Sequence, residues 1–394
     1  MVRPSRVVAV DVPSLHASLA RLIRAPSINP MFDAASAGER EIADVVETEA
    51  TALGMLTARF EPEPGRVSVV ARLPGHGAGR SLLLYAHHDT VGVAGMPDPF
   101  SGDIRDGRMY GRGSYDMKGG LAACLAAVRA LRAAGIALAG DLLIAAVADE
   151  EVASIGISDV LRTVRADGAI VTEPTELELC VAHKGFAWIE IETLGRSAHG
   201  SRYQEGIDAN MHMGRVLARL DHLGQRLRVT TPHPLLGPPS LHVGVLRGGT
   251  GPSIYAARCA LTLEWRMLPS ETVAGILATI EAILAELRAE DRSFVATARA
   301  ALVRPPFEVA PGDSIVTTVR EAAAAVLGTA PPLIGVAYWM DASLIAEAGI
   351  PVVAFGPSGA GAHADVEWVE LESVRQVAEV LARSAINFCG TASA

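Results

Sequence analysis

The chain has 394 residues, and 50% of them are hydrophobic, so it can bury more than one sizeable core. Its 44 acidic and 34 basic residues give a net charge of −10, which argues against binding to nucleic acid or to an anionic membrane surface. The four cysteines show no Cys-x-x-Cys spacing, which argues against a thiolate zinc site and a disulfide framework and favours free thiols in a reducing cytoplasm.

The first part of the chain alternates helix-like and strand-like segments. Apolar residues recur at helical spacing between Leu15 and Ile23 and between Ile42 and Val46. An alanine-rich segment predicts a buried helix over residues 117–133. Apolar runs predict strands over residues 67–73, 81–86, 141–148 and 169–172. This alternation predicts an α/β architecture with a mostly parallel sheet.

A different order of elements begins near Gly185. Strands are predicted over residues 186–193, 240–246, 258–268 and 293–301, with helices over residues 207–223 and 271–288. The order β-α-β-β-α-β is the ferredoxin-like arrangement. The alternation of helices and strands then returns, with a helix over residues 314–326, a strand over 351–355 and a helix over 370–386. We therefore predict an α/β domain built from residues 1–185 and 302–394, with residues 186–301 inserted as a smaller domain.

Reactive side chains follow the predicted strands of the α/β domain. Because the carboxyl ends of parallel strands share one edge of the sheet, ligands bind there and these side chains are expected to meet. They are His87 and Asp89 after residues 81–86, Glu150 and Glu151 after 141–148, Glu173 after 169–172, His363 beyond 351–355, and Asp116 before the buried helix.

So many carboxylates at one place favour a bound cation, because like charges a few ångströms apart cannot all ionise. Imidazole and carboxylate ligands without thiolate favour catalytic zinc, and a central carboxylate favours two ions that share it. Each motif alone has an ordinary explanation, such as a hydrogen-bonded His-x-Asp pair or a solvated acidic loop. The sequence contains no Gly-x-Ser-x-Gly, His-Glu-x-x-His or Walker A motif, which weakens serine-nucleophile, zincin and nucleotide interpretations.

These motifs resemble the di-zinc amidohydrolase and peptidase family that includes acetylornithine deacetylase, succinyl-diaminopimelate desuccinylase, aminoacylase-1 and carboxypeptidase G. The resemblance covers nearly the whole chain. The segments that carry it are residues 86–91, 111–120, 149–151, 172–175, 197–201 and 361–363.

The resemblance implies two Zn²⁺ ions per subunit, with Co²⁺ or Mn²⁺ as possible substitutes. Asp116 would bridge the ions, with a cis peptide bond after it. Glu150 would be the general base, and Asp89 would orient a ligating histidine. The remaining ligands would be His87 and Glu173 for one ion and Glu151 and His363 for the other.

The resemblance also implies that residues 186–301 form a lid that mediates a homodimer. His199 resembles the lid histidine that reaches the active site, often from the partner subunit. Arg266 would bind the substrate carboxylate, and Gly356, which opens a glycine-rich loop, would contact the substrate. The chain departs from the family pattern at residues 253–256, where an Asn-Val-Ile-Pro stretch is usual, so the acyl group and the amino acid stay open.

These features predict a cytoplasmic, zinc-dependent hydrolase that cleaves the amide bond of a small N-acyl amino acid, most like acetylornithine deacetylase. The metals would activate the attacking water, with Glu150 as its base. A dipeptidase or carboxypeptidase of the same fold is one alternative, and a metal-loaded ligand-binding protein without catalysis is another. No nucleic-acid partner is expected, because the net charge is −10. No membrane partner is expected either, since charged residues interrupt the most apolar stretch, residues 121–148.

Overall fold

A computed structural model of the chain describes residues 8–392. These residues form two compact units. The first unit comprises residues 8–181, 309–334 and 340–392, and the second comprises residues 182–308 and 335–339. The domain boundaries expected after residues 185 and 301 lie near the points where the chain passes from one unit to the other, and they stay a prediction. No helix among the described residues is long and apolar enough to cross a membrane.

The first part of the first unit contains the predicted helices and central strands, but they do not alternate strictly, because five strands follow α2 before α3 begins. Helix α1 (Val12–Arg24) starts at a side-chain cap, because the Asp11 carboxylate accepts a hydrogen bond from the Ser14 backbone N–H. The elements that follow are α2 (Arg40–Ala52), β1 (Leu56–Phe60), β2 (Ser68–Leu73), β3 (Leu82–His87), β4 (Asp103–Arg105), β5 (Arg108–Tyr110), α3 (Gly119–Ala133), β6 (Leu142–Val147), α4 (Ile155–Val160), β7 (Gly168–Val171) and β8 (Leu179–His183).

The second unit has the predicted β-α-β-β-α-β order. Its four-stranded sheet runs β10-β11-β9-β12 with antiparallel neighbours, and the helices pack Val216, Leu220, Ile280 and Leu284 into its core. Its elements are β9 (Gly185–Leu194), α5 (Ala209–Arg228), β10 (Ser240–Gly248), β11 (Arg258–Met267), α6 (Val273–Glu290), β12 (Val295–Arg304) and β13 (Phe307–Glu308).

The last segment of the chain completes the first unit, except for residues 335–339, which belong to the second. It contributes the final strand of the parallel core and a long helix against the sheet. The elements are α7 (Ser314–Leu327), β14 (Leu333–Val336), α8 (Ala342–Glu347), β15 (Val352–Ala354), β16 (Gly359–Ala360), β17 (Trp368–Glu370) and α9 (Leu371–Cys389).

The central sheet of the first unit has a parallel middle. Its order is β1-β2-β6-β3-β7-β15-β8, and the neighbours from β6 to β15 pair in parallel. The residues of these middle strands are all buried, as expected for strands covered on both faces. The carboxyl ends of β3, β6, β7 and β15 therefore share one edge, which is where the sequence predicts the reactive side chains.

The start of the buried helix differs from the prediction. Helix α3 begins at Gly119 rather than at Met117, and a π-helical turn, Ser114–Lys118, precedes it. Asp116 and Met117 have non-helical backbone angles inside this turn. The peptide bond between them is cis, as the family resemblance implies. Asp116 is therefore presented by an irregular turn rather than by a regular helix.

Gly120 lies where α3 approaches the end of β7. A Cβ atom at this position would collide with the carbonyl oxygen and the side chain of Thr172, the residue before Glu173. We expect Gly120→Ala to lower the free energy of unfolding by about 1–3 kcal/mol, because overpacked sites must shift. Gly312→Ala is the control, since no atom lies within 4 Å of its added Cβ. Urea unfolding of both variants tests the prediction, and equal midpoints would contradict it.

Candidate metal centre

Two groups of three potential ligands lie at the carboxyl edge of the parallel strands. In the first, His87 Nε2 lies 3.1 Å from Asp116 Oδ1 and 3.5 Å from Glu173 Oε1. In the second, His363 Nε2 lies 3.4 Å from Asp116 Oδ2 and 3.0 Å from Glu151 Oε2. Within each triad the ligand atoms lie within 4.8 Å of one another. Asp116 belongs to both triads and offers a different oxygen to each.

Asp89 fixes the orientation of His87 and of the acidic loop after β6. The Nδ1 atom of His87 lies 3.1 Å from the backbone carbonyl oxygen of Asp89 and 3.5 Å from its Oδ1. An N–H at Nδ1 donates there, which leaves the Nε2 lone pair for the first triad. The Asp89 carboxylate also accepts hydrogen bonds from the backbone N–H groups of Glu150 (3.1 Å) and Glu151 (3.3 Å). One buried carboxylate thus holds a ligand and the neighbouring backbone together.

The carboxylates of the site repel one another. Burial raises the pKa of Glu173 well above its usual value; the charge of His87 opposes this, and the charges of Asp116 and Glu151 add to it. Burial likewise raises the pKa of Glu150, and Glu173 raises it further. A cation among these side chains relieves both effects, because it stabilises the ionised carboxylates.

The two histidines respond to the same negative charge. Burial alone would lower the pKa of His87, but Glu173, Asp116 and Asp89 raise it well above its usual value. Hydrogen bonds to Asp116 and Glu151 raise the pKa of His363 to about 10. The surroundings of both imidazoles therefore favour a positive charge at the place where a metal ion would supply one.

Nitrogen and oxygen donors in two triads with a shared carboxylate fit a pair of divalent ions. Imidazole with carboxylate suits zinc, and the same donors accept cobalt or manganese.

His88, which follows His87 in the sequence, makes a different contact. Its Nε2 lies 2.9 Å from the backbone carbonyl oxygen of Val67, and burial lowers its pKa to about 4. His88 is therefore a buried neutral imidazole.

Glu367, which the sequence does not single out, supports the turn that presents Asp116. Its buried carboxylate accepts hydrogen bonds from the backbone N–H groups of Gly113 (2.9 Å), Tyr115 (3.0 Å) and Asp116 (3.1 Å). It also pairs with Arg112 at 2.7 Å. No local pattern marks Glu367, because its partners lie about 250 residues away in the chain.

Arg112 extends the same support to the loop that carries His363. Its Nη2 donates to the backbone carbonyl of Ala364 at 3.0 Å, and its Nε donates to that of Gly92 at 3.1 Å. The turn before α3 and the loop before β17 are therefore linked by one buried ion pair.

Replacing Glu367 with alanine is expected to destabilise the protein by about 3–5 kcal/mol, because Arg112 would lose its buried partner. The three backbone N–H groups would lose their acceptor as well. The control is Glu370→Ala, whose half-exposed partner Arg108 lies 3.8 Å away, for which we expect a loss of about 0–1 kcal/mol. Denaturant unfolding measures both variants, and a similar small loss in each would show that Glu367 contributes no more than a surface carboxylate.

Gly356 makes close contacts rather than offering free backbone groups. Its N–H donates to the Thr175 hydroxyl at 2.9 Å, and its carbonyl accepts from the Leu177 N–H at 3.1 Å. A Cβ at this position would collide with the backbone carbonyl of Glu173. The structure therefore explains this glycine by packing beside a ligand, and its contact with substrate stays a prediction.

The other two residues expected to contact substrate lie in the second unit. His199 is exposed, and its Nδ1 lies 2.9 Å from the Ser201 hydroxyl oxygen. Arg266 lies on β11, where its Nε donates to Glu264 at 2.7 Å and its guanidinium carbon lies 5.1 Å from the centre of the Phe186 ring. Their roles toward substrate stay predictions.

Comparisons with known proteins identify the family to which the chain belongs. The model of peptidase family M20/M25/M40 matches residues 83–387. Acetylornithine deacetylase of Myxococcus xanthus is 30% identical over 393 residues, which cover 96% of this chain and 98% of the relative.

Solved structures show the same fold along nearly the whole chain. Aminopeptidase PepT from Bacillus cereus has a TM-score of 0.78 at 21% identity, covering 96% of this chain and 99% of that one. A dinuclear metal binding peptidase of the M20 family from Bacillus subtilis has a TM-score of 0.73 at 16% identity, covering 96% of this chain and 100% of that one. The chain belongs to peptidase family M20/M25/M40, and it is a hydrolase that acts on amide bonds.

Proposed function

We propose that this hydrolase removes the acyl group from an N-acyl amino acid, in the manner of an acetylornithine deacetylase. The observation that carries the proposal is the pair of triads that share Asp116, with Glu150 beside them on the same loop as Glu151. The 30% identity to an acetylornithine deacetylase along almost the entire chain supports the choice of substrate class.

The triads are proposed to hold two zinc ions, or cobalt or manganese in their place. His87, Asp116 and Glu173 would hold one ion, and Asp116, Glu151 and His363 the other. When bound, such ions lower the pKa of water and polarise an amide carbonyl.

Glu150 is proposed to move the proton. As a carboxylate it takes a proton from the water that attacks the amide carbon, and it then delivers that proton to the leaving amine nitrogen. The Asp89 carboxylate accepts a hydrogen bond from its backbone N–H, which supports this role by holding Glu150 on the same loop as the potential ligand Glu151.

His199 and Arg266 are proposed to bind the substrate. His199 is assigned to the oxyanion that develops on the carbonyl, where hydrogen-bond donors contribute most to catalysis. Arg266 is assigned to the substrate carboxylate, which a guanidinium can bind through two parallel hydrogen bonds. We also propose that the enzyme is a cytoplasmic homodimer formed through the second unit.

The decisive experiment combines metal analysis with a substrate screen on the purified protein. N-acetyl amino acids, including N-acetylornithine, and a panel of dipeptides are assayed side by side with two equivalents of zinc. Preferential hydrolysis of the N-acetyl compounds supports deacylation. Preferential cleavage of dipeptides would replace it with a dipeptidase or carboxypeptidase of the same fold. Bound zinc with no hydrolysis of either panel would indicate a ligand-binding protein and overturn the proposal.

A further inference from the structure

A single amide side chain separates two buried carboxylates behind the candidate metal centre. Asn29 is fully buried, and its Nδ2 lies 2.9 Å from Asp89 Oδ2 and 2.8 Å from Asp149 Oδ1. Because the amide nitrogen carries two hydrogens, it donates one to each carboxylate. Its Oδ1 accepts from the Met31 N–H, and its own backbone N–H donates to the Thr90 carbonyl. Asn29 is therefore fixed through its backbone and its side chain.

Both carboxylates control the segment that carries Glu150 and Glu151. Asp89 accepts hydrogen bonds from the backbone N–H groups of these two residues, as described above. Asp149 directly precedes Glu150, and its Oδ2 accepts from the Ile155 N–H at 3.3 Å. The acidic segment thus has two anchors, and Asn29 binds both.

The backbone at Asp149 needs such an anchor. Its φ angle is 72°, in the left-handed region that residues with a Cβ rarely adopt. Surrounding contacts must hold a residue in this conformation, and such residues concentrate at functional sites. Two side chains hold the Asp149 carboxylate: Asn29, and Arg66, whose Nη2 lies 2.8 Å from the same oxygen. Losing the Asn29 amide would remove one of them and leave two buried carboxylates facing each other.

We propose that Asn29 is a positioning residue for the hydrolytic reaction: its amide joins Asp89 to Asp149 and thereby sets the position of Glu150 relative to His87. The inference rests on the proposed function, because it concerns the proton carrier of that reaction. It predicts a defect in the chemical step rather than in substrate binding.

The chemistry of the position explains why an amide is suited to it. Aspartate would add a third negative charge between two carboxylates, and serine would offer one hydrogen where two are accepted. Glutamine is longer by a methylene group, which a fully buried site cannot accommodate without a shift.

The kinetic test compares Asn29→Ala with Ser27→Ala. Ser27 lies in the same buried segment, and its hydroxyl has no hydrogen-bond partner among the described residues, so its loss should change nothing. For Asn29→Ala we expect kcat to fall by about 10²-fold, since a displacement of an ångström has effects of that size. KM should change by less than about twofold, and the zinc content should stay at the wild-type level. A kcat within about twofold of wild type, or a joint loss of kcat, substrate binding and zinc, would overturn the inference.

A second readout does not depend on activity. Hydrogen exchange of the zinc-loaded protein, followed by mass spectrometry, reports how firmly residues 149–155 are held. We expect exchange in this segment to be about tenfold faster in Asn29→Ala, with β6 unchanged and Ser27→Ala like wild type. Unchanged exchange would overturn the inference.

The hydrogen-exchange measurement also separates the role of Asn29 from the proposed function. If wild-type protein hydrolyses neither panel, the proposed function fails, and the exchange experiment alone decides the role of Asn29. If Asn29→Ala does not fold, Asn29→Ser replaces it in both measurements. Because serine can still donate one hydrogen bond, we expect an effect smaller than tenfold in exchange for that variant, and wild-type exchange would contradict the inference.

Discussion

Glu150→Gln is expected to retain its metal ions and to lose about 10²–10⁴-fold in kcat, the range that a positioned general base contributes. The glutamine keeps the shape of the side chain and the backbone hydrogen bond to Asp89, but it cannot take a proton from water. Glu150 belongs to neither ligand triad, so both triads stay complete in the variant. The expected combination is full metal content with very slow hydrolysis.

The matched control is Glu321→Gln, an exposed carboxylate on α7, for which wild-type turnover is expected. Metal content is measured by atomic absorption after gel filtration, and kcat on the substrate that the screen identifies. Turnover of Glu150→Gln within about tenfold of wild type would remove Glu150 from the mechanism, because that loss lies below the range for a general base.

Asp116→Ala is expected to lose both metal ions and all measurable activity. Asp116 Oδ1 belongs to the first triad and Oδ2 to the second, so a single substitution removes one ligand atom from each. His363→Ala removes a ligand from the second triad alone, because His363 contacts Asp116 and Glu151 but does not belong to the first. That variant is expected to keep the ion held by His87 and Glu173.

Metal titration of the apo-protein by calorimetry distinguishes these variants. The expected stoichiometries are two ions for wild type, none for Asp116→Ala and one for His363→Ala. Asp365→Ala is the control, an exposed carboxylate in the same loop as His363 that belongs to neither triad. Two ions in Asp116→Ala would mean that the shared carboxylate is not a ligand, and two ions in His363→Ala would mean the same for His363.

The main elements of the fold could be predicted because buried strands and amphipathic helices have strong apolar patterns. Residues 81–86 and 141–148 are nearly continuous apolar runs, and both contain central strands. The strands β4, β5, β16 and β17 are not predicted, because two or three residues carry no measurable periodicity, and β1 and β8, with five residues each, are not predicted either. Local propensity does not predict the irregular turn at Ser114–Lys118, since its backbone depends on contacts with the distant Glu367.

The potential ligands can be predicted because they follow strands in a recognisable order and match family motifs. The sequence does not predict the residues that hold them in place. Glu367 and Asn29 carry no motif of their own, and their importance comes from hydrogen bonds to Asp116 and to Asp149 across long stretches of sequence. An isolated sequence shows which residues can bind a metal, but it does not show which buried side chains hold those residues in position.

The position of β15 has a consequence for how the enzyme is made. This strand lies between β7 and β8 in the sheet, yet it is encoded far downstream of both. On the ribosome, at about 5–20 residues per second, β7 emerges roughly 10–40 s before its partner. Until then one edge of a hydrophobic parallel strand has no partner and is exposed to aggregation. The nascent polypeptide should therefore depend on chaperones during the interval in which the second unit is being synthesised.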